Sequence, residues 1–404
     1  MRHHNPIIFL TKQLVENNQF KKERMDWDSF KRIAAWYSKL FLGEPFRLYE
    51  RLSKEKQIIN CKIEKPPIFV LGHWRSGTSF LHSLLSCDPR RGFLRKYESV
   101  FPESFLSSEN LLKPLVKRII DPSKLKRNVS KISGRWEWEA PGEPDIAMIT
   151  SFSPYSPHWG HAFPAESFDY YMDKYACFDT ATKEEERRWK EAYRYLMNKI
   201  SIKNEHRQLV IKNPADTGRI KQLLELYPDA RFVYIHRSPY DVFYSNLKMW
   251  NVIIDNLSFQ KITQEEIISN IFSAYSKLLG KYLEHRSLIP ESNLIEIYFE
   301  DLAKAPLSIL EQIYQTLALE GFEDVKPLFR RFLDSQKNHT PSRYRYSAAI
   351  SERIEWEWKF SLEEWPYERP RQGADAASQK TPREQAHSAA QGQAARAQAA
   401  TSSS

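Results

Sequence analysis

An apolar run that stops in a glycine loop limits what this chain can fold into more than any other feature. Residues 67–82 read Pro-Ile-Phe-Val-Leu-Gly-His-Trp-Arg-Ser-Gly-Thr-Ser-Phe-Leu-His, so the loop has the form Gly72-x-x-x-x-Gly77-Thr78-Ser79. A short continuous apolar run with such flanks predicts a strand buried on both faces of a parallel sheet. The glycines let backbone N–H groups wrap an anion, and a helix starting near Ser76 turns its positive end toward it. A nucleoside-triphosphate loop, G-x-x-x-x-G-K-[ST], also needs a lysine for the β- and γ-phosphates and a hydroxyl for Mg²⁺. Thr78 stands at the lysine position. The anion site is kept while the triphosphate machinery is not. That disfavours a P-loop kinase or ATPase, which would also want an aspartate closing a neighbouring strand; the strands here end in Lys212 and His236-Arg237.

The chain has 404 residues, enough for a sizeable core, and its composition is uniform to about residue 370. This predicts an N-terminal helical segment over 1–60 packed on the core, one large domain over 61–370, and a tail over 371–404. From Gly373 to Ser404 there is no Val, Ile, Leu, Met, Phe, Tyr or Trp, a composition that cannot offset its own ordering entropy. The formal charge is +9, which suits anionic ligands or a membrane surface. Lys and Arg are scattered rather than massed in a stripe, which argues against nucleic acid. Cys61, Cys87 and Cys177 show no metal-ligand spacing and fit a reducing compartment. No apolar run approaches the ~18 residues of a membrane span, and no cleavable leader pattern opens the chain, so the expected location is cytoplasmic.

Apolar residues at helical spacing over 26–42 predict an amphipathic helix that closes at Gly43 and packs on the core, a membrane-surface helix being the alternative. Helical stretches follow near 78–86 and 110–120. The segment Trp136–Pro164, rich in Pro and aromatics, reads as a long functional loop. A helix near 183–200 precedes the apolar run Gln208–Lys212. Asn213-Pro214-Ala215-Asp216 then resembles a capped helix start running to Tyr227, and Ser238-Pro239-Tyr240-Asp241 repeats that logic after the run Arg231–His236. Helices near 265–285, 306–318 and 325–337 and a strand over Leu294–Tyr298 continue the alternation. The fold class is α/β, a parallel sheet with helices on both faces.

Arg237 follows the strand 231–236, and Ser245 lies eight residues further on. Joined to a lysine-free phosphate loop, this resembles the sulfotransferase family, enzymes that use 3′-phosphoadenosine 5′-phosphosulfate (PAPS). In that family a loop of the type [KR]-S-G-T-[TS]-[WF] wraps the 5′-phosphosulfate, matched here by Arg75, Ser76, Gly77, Thr78, Ser79 and Phe80. An arginine and a serine after a later strand hold the 3′-phosphate, matched by Arg237 and Ser245. Lys212-Asn213-Pro214 through Arg219-Ile220 looks like the K-[ST]-P-x-H-x-x-R-I segment of the bacterial branch. The resemblance covers roughly residues 60–345.

It implies PAPS as co-substrate, no metal, and a small-molecule, glycan or lipid acceptor that presents a hydroxyl. Arg75 and Lys212 would neutralise charge on the transferring group, Phe80 would stack on adenine, and Arg343, in Arg343-Tyr344-Arg345, would close over the 3′-phosphate. In the cytosolic animal branch a histidine two residues past the equivalent of Lys212 is the base; Pro214 stands there. Bacterial relatives carry an acidic P-x-E-D-E segment, which Pro141-Gly142-Glu143-Pro144-Asp145 resembles with one acid replaced. Glu143 is the expected general base, with Glu139, Asp145, His158 and His161 as alternatives in the same aromatic stretch. The insertion at about 97–180, with Trp136, Trp138, Tyr155 and Trp159, is the expected acceptor pocket for a sugar face, a lipid or a sterol ring. A noncatalytic nucleotide or polyanion binder is the remaining alternative; it leaves the acid-bearing aromatic stretch without a purpose.

Overall fold

The computed structural model describes residues 9–12, 14–15, 25–119, 137–165, 167–337 and 344–370. Arg343, Trp136 and the tail 371–404 lie outside the described residues. At the centre is a five-stranded sheet in the order β2-β3-β1-β4-β5. Its strands are β1 (Ile68–Leu71), β2 (Arg91–Gly92), β3 (Gln208–Lys212), β4 (Arg231–His236) and β5 (Leu294–Tyr298). Every pairing is parallel, with Val70 opposite both Lys212 and Val233, and His236 opposite Tyr298. All carboxyl ends therefore meet on one edge.

The apolar runs are continuous because both faces of the sheet are covered. Phe69, Leu71, Leu209, Ile211, Phe232 and Tyr234 point into one core, against Trp189, Tyr193 and Ile200 of the helix Lys183–Lys203 and Leu278 of the helix Gln264–His285. Ile68, Val70, Val210, Val233 and Ile235 alternate into a second core with Leu81, Leu84, Leu310 and Phe329. From β1 the chain leaves toward β2, whereas from β4 it leaves toward β5. A crevice opens at the carboxyl ends where such directions diverge.

Several local expectations are corrected. The N-terminal helix does not close at Gly43 but runs Trp27–Asn60, through Gly43 and Pro45. A capping box of Asp26 and Ser29 starts it, and its inward side, with Leu40, Glu50 and Ile58 buried, carries it past two weak positions. It docks on the helix Lys183–Lys203, where Asn198 Nδ2 donates to Ile58 O at 2.9 Å. The stretch 137–165 is not an open loop: it holds the helices Pro144–Thr150 and Trp159–Ala162 and buries Trp138, Phe152, Trp159 and Phe163. Aromatic content here reflects packing as well as any ligand surface. After β3 a 3₁₀ turn, Pro214–Gly218, precedes the helix Ile220–Leu226, and neither Asn213 nor Ser238 caps a helix with its side chain. No helix among the described residues is long and apolar enough to cross a membrane.

The side chain of Asn213 is used instead in a buried network. Arg219 Nη1 donates to Asp145 Oδ2 and to Asp216 Oδ1, both at 2.8 Å, and all three residues are buried. Asn213 Nδ2 donates to the same two oxygens at 2.7 and 2.9 Å, and Tyr193 donates its hydroxyl to Asp216 Oδ2 at 2.6 Å. The guanidinium lies 4.9 Å from the Trp189 ring centroid. This clamp fixes residues 143–145 to the carboxyl end of β3. Removing one partner of such a group strands the other charges in a dry site. Arg219→Met is expected to cost about 3–5 kcal/mol in urea unfolding; a loss below about 1 kcal/mol, the level of an exposed pair, contradicts the clamp.

Burial also sets a pH dependence. Desolvation pulls the imidazoles of His73, His82 and His236 down from 6.5 to about 4, about 3 and about 3. Unfolded, they titrate near 6.5, so below that pH the unfolded state binds more protons and native stability falls with pH, by up to about 1.4 kcal/mol per unit for each ring. Asp216, raised by burial to about 6, and Glu98, Glu103 and Glu300, also raised by burial, bind protons in the native state first and oppose the rings at the acid end. The buried His158 and His161, lowered likewise, add to the loss. The urea midpoint is expected to drop from pH 7 to pH 5; a constant or rising midpoint contradicts these neutral imidazoles.

Candidate active site

The glycine loop is shaped by close approach. Gly72 has φ +142° and Gly77 φ +102°; a Cβ at Gly72 would meet Ile235 O at 2.4 Å, and one at Gly77 the Phe299 ring at 2.3 Å. Gly72 N donates to Thr217 Oγ1 at 2.8 Å, which ties the loop to the turn after β3. His73 O accepts from both the backbone N (3.1 Å) and the Oγ (2.8 Å) of Ser76. This tight turn holds Arg75 at φ 73°, a strained setting for a residue with a side chain. The helix Thr78–Leu85 starts from Gly77 with no side-chain cap, so the first-turn N–H groups that a helix leaves unpaired face the loop. Thr78 is buried and Ser79 exposed.

Arg75 and the loop after β4 are in direct contact. Arg75 Nε donates to Ser245 Oγ at 2.8 Å, and Arg237 Nη1 reaches Arg75 O at 3.4 Å. Arg237 Nη2 donates to Asp241 at 2.8 Å, while its Nε is buried without a hydrogen-bond partner among the described residues. Tyr346 donates its hydroxyl to Asp241 at 2.5 Å and Tyr344 stacks on Tyr244, so the residues after Arg343 cover this helix start. Phe299, the first residue after β5, was not signalled by any motif: it fills the space beside Gly77, and the Arg237 guanidinium sits 4.6 Å from its ring centroid. Burial lowers the Arg75 pKa, an effect countered by Tyr344, reinforced by Arg237 and countered again by Glu143.

Lys212, buried at the end of β3, donates its Nζ to Glu143 Oε1. Glu143 immediately precedes the helix Pro144–Thr150. Gly142 lets it approach: its N donates to Leu94 O at 2.7 Å, and a Cβ there would meet Ser99 Oγ at 2.1 Å. Backbone bonds from Lys96 N to Ala140 O (2.9 Å) and Tyr97 N to Trp138 O (3.1 Å) continue that docking. Lys96 is a second cation here that no motif signalled. Burial and then the neighbouring Lys212 pull its pKa down to about 8, against Glu143 and Glu137.

The other expected bases sit in different settings. Asp145 is committed to the Arg219 clamp. Glu139 is half exposed and pairs with Lys113 and Lys117. His158 and His161 are buried with their Nδ1 atoms 3.3 Å apart, beside Trp74, and His161 lies 4.8 Å from the Trp250 ring centroid. Burial lowers both imidazole pKa values, most strongly for His161. Phe80 is half-buried, packed against Phe332 and the second core rather than the Arg75–Lys212 cluster.

The sequence profile of the sulfotransferase family matches residues 66–324. Over 358 residues the chain is 26% identical to the omega-hydroxy-beta-dihydromenaquinone-9 sulfotransferase Stf3 of Mycobacterium bovis, covering 88% of this chain and 89% of that protein. The Stf3 of Mycobacterium tuberculosis matches equally. Among solved structures, sulfotransferase STF9 from Mycobacterium avium superposes with a TM-score of 0.70 at 18% identity, over 91% of this chain and 93% of that one. STF1 from Mycobacterium tuberculosis gives 0.62 at 17% identity, over 82% and 88%. These likenesses show a common fold, and the profile match spans both the glycine loop and the Arg237–Ser245 helix start. The chain belongs to the sulfotransferase family and is a sulfuryl-transferring enzyme.

Proposed function

We propose that PAPS is the donor, that no metal takes part, and that the acceptor is a hydroxyl on an apolar, lipid-like molecule. The observation that carries this reading is the Lys212–Glu143 pair at the carboxyl end of β3, beside a phosphate loop whose cation is Arg75. The residues fit the donor in two places. The tight glycine loop and uncapped helix start suit the 5′-phosphosulfate, with Arg75, Ser76, Gly77, Thr78 and Ser79 around it. The buried Nε of Arg237, unpartnered among the described residues, with Ser245 joined to Arg237 through Arg75, suits the 3′-phosphate.

In the transfer, the acceptor oxygen bonds to sulfur as the sulfur–oxygen bond to the 5′-phosphate breaks. The leaving phosphate takes the electron pair and the alcohol proton passes to the Glu143 carboxylate. Lys212 and Arg75 meet the negative charge that grows on the sulfuryl and leaving oxygens. Arg75 keeps the charge that family members often carry as lysine, and a weakly basic phosphate needs no proton from it. Lys212 also holds Glu143 in place, so donor and base are positioned by one side chain. An apolar acceptor is supported by the lipid named for the Stf3 relatives.

Arg75→Ala and Lys212→Ala are each expected to lower turnover by at least ~10²-fold, the scale for losing one preorganised charge donor; turnover within about tenfold of the parent removes that residue from the chemistry. Glu143→Gln is expected to lower kcat while the affinity for PAP, the desulfated product, changes little, and an unchanged kcat passes the base role to another group. Isothermal titration in EDTA tests the donor: PAP should bind far more tightly than ATP. Tight binding of Mg·ATP would overturn the PAPS reading.

A further inference from the structure

Exposed large apolar side chains are not scattered over this molecule. Of the fifteen among the described residues, ten sit on two helices, Trp27–Asn60 and Phe105–Ile119. Leu52 is 87% exposed, Leu42 74%, Trp27 73%, Leu111 64% and Phe41 62%. On the long helix Phe30, Phe41, Leu48, Leu52 and Ile59 recur at helical spacing along one exposed side, turned away from the buried Leu40, Glu50 and Ile58. An inward face packs on the core, and an outward apolar face has no covering element among the described residues.

The ledge is rigidly built. Buried Glu50 accepts from Leu106 N at 2.8 Å and Ser107 N at 3.0 Å, which clasps the two helices at the start of the second, and it pairs with buried Lys199. Lys39 Nζ donates to Thr150 O at 2.7 Å. That oxygen ends the helix that begins after Glu143. The apolar face is thus braced against the element that carries the proposed base.

Charge selects the occupant. The exposed charged residues of the two helices are Lys31, Arg51, Lys56, Lys117 and Arg118, with one acid, Asp28, which pairs with Lys31 at 2.9 Å. Lys117 pairs with Glu139 from the neighbouring stretch at 3.2 Å, which leaves Arg51, Lys56 and Arg118 in excess. A second copy of this chain, formally +9, would bring like charges together. The sequence from Gly373 onward has no large apolar residue to cover the face. A flat apolar stripe flanked by lysine and arginine is the pattern of a helix lying in the headgroup region of an anionic bilayer. We propose that the outward face of Trp27–Asn60, with Leu111 and Leu115, docks this enzyme on an anionic lipid surface. The proposal stands on the surface alone and holds whatever the acceptor is.

Flotation of the full chain with lipid vesicles tests it. Vesicles rich in phosphatidylglycerol should bind the chain about tenfold or more above phosphatidylcholine vesicles, and added salt should weaken binding. Leu42→Ser/Leu52→Ser is expected to lower that partition by about tenfold or more, with the unfolding midpoint and PAP affinity retained. Trp356→Ser, at an 85% exposed residue of the helix Ala348–Glu357, should leave it unchanged. No partition of the parent chain overturns the proposal, and does so without any variant. So does an equal loss in Trp356→Ser, or a dimer that the leucine substitutions dissociate while vesicle binding persists.

Discussion

The arrangement of the site depends on one buried cation. Arg219 lies between Asp145 and Asp216, and its guanidinium is the shared partner that makes two neighbouring carboxylates tolerable away from water. Through Asp145 it holds the stretch that presents Glu143, and through Asp216 it holds the turn that follows Lys212. The Lys212–Glu143 contact is therefore set by a charge that never touches it. Desolvation makes the clamp expensive, which is visible in the Asp216 pKa being raised to about 6 despite the adjacent guanidinium. The surrounding bonds from Tyr193 and Asn213 offset part of that cost by satisfying the remaining lone pairs.

The parallel sheet does the rest of the positioning. With Val70 opposite both Lys212 and Val233, the glycine loop, Lys212 and the His236-Arg237 turn leave the sheet at nearly one level. Three cationic side chains, Arg75, Lys212 and Arg237, converge there, with Lys96 brought in from the far side of the docked 138–142 stretch. A cluster of like charges is unfavourable unless an anion occupies it or acids are interleaved. Asp241 and Glu143 are interleaved here, each on one cation, and the Arg237 Nε has no hydrogen-bond partner among the described residues.

What could be read from the sequence divides along physical lines. β1, β3 and β4 were legible because burial on both faces leaves an apolar run that needs no partner to recognise. The meeting of Arg75, Lys212, Arg237 and Ser245 at one edge of the sheet was legible because each stands at a fixed offset from one of those runs. The role of Asp145 was not: its partner Arg219 lies 74 residues away, and only the fold shows that this carboxylate is spent on structure. Lys96 and Phe299 were likewise invisible, since each reaches the site by packing. The long helix was misjudged at Gly43 because local propensity was given more weight than the buried stripe that continues past it. The aromatic stretch 137–165 was misjudged as a loop because Pro and Trp punctuate it, although its aromatics fill a core.

The central claim is that a phosphate loop whose cation is an arginine, set beside a lysine–carboxylate pair, moves a sulfuryl group from PAPS without a metal. Radiolabelled transfer measures it directly: purified chain, PAPS carrying ³⁵S, an excess of EDTA, and a panel of hydroxylated lipids, sugars and sterols separated after reaction. The account predicts label in a hydroxylated lipid at a rate that EDTA leaves unchanged. Label in no acceptor of the panel, or transfer that appears only when a divalent cation is restored, would contradict it.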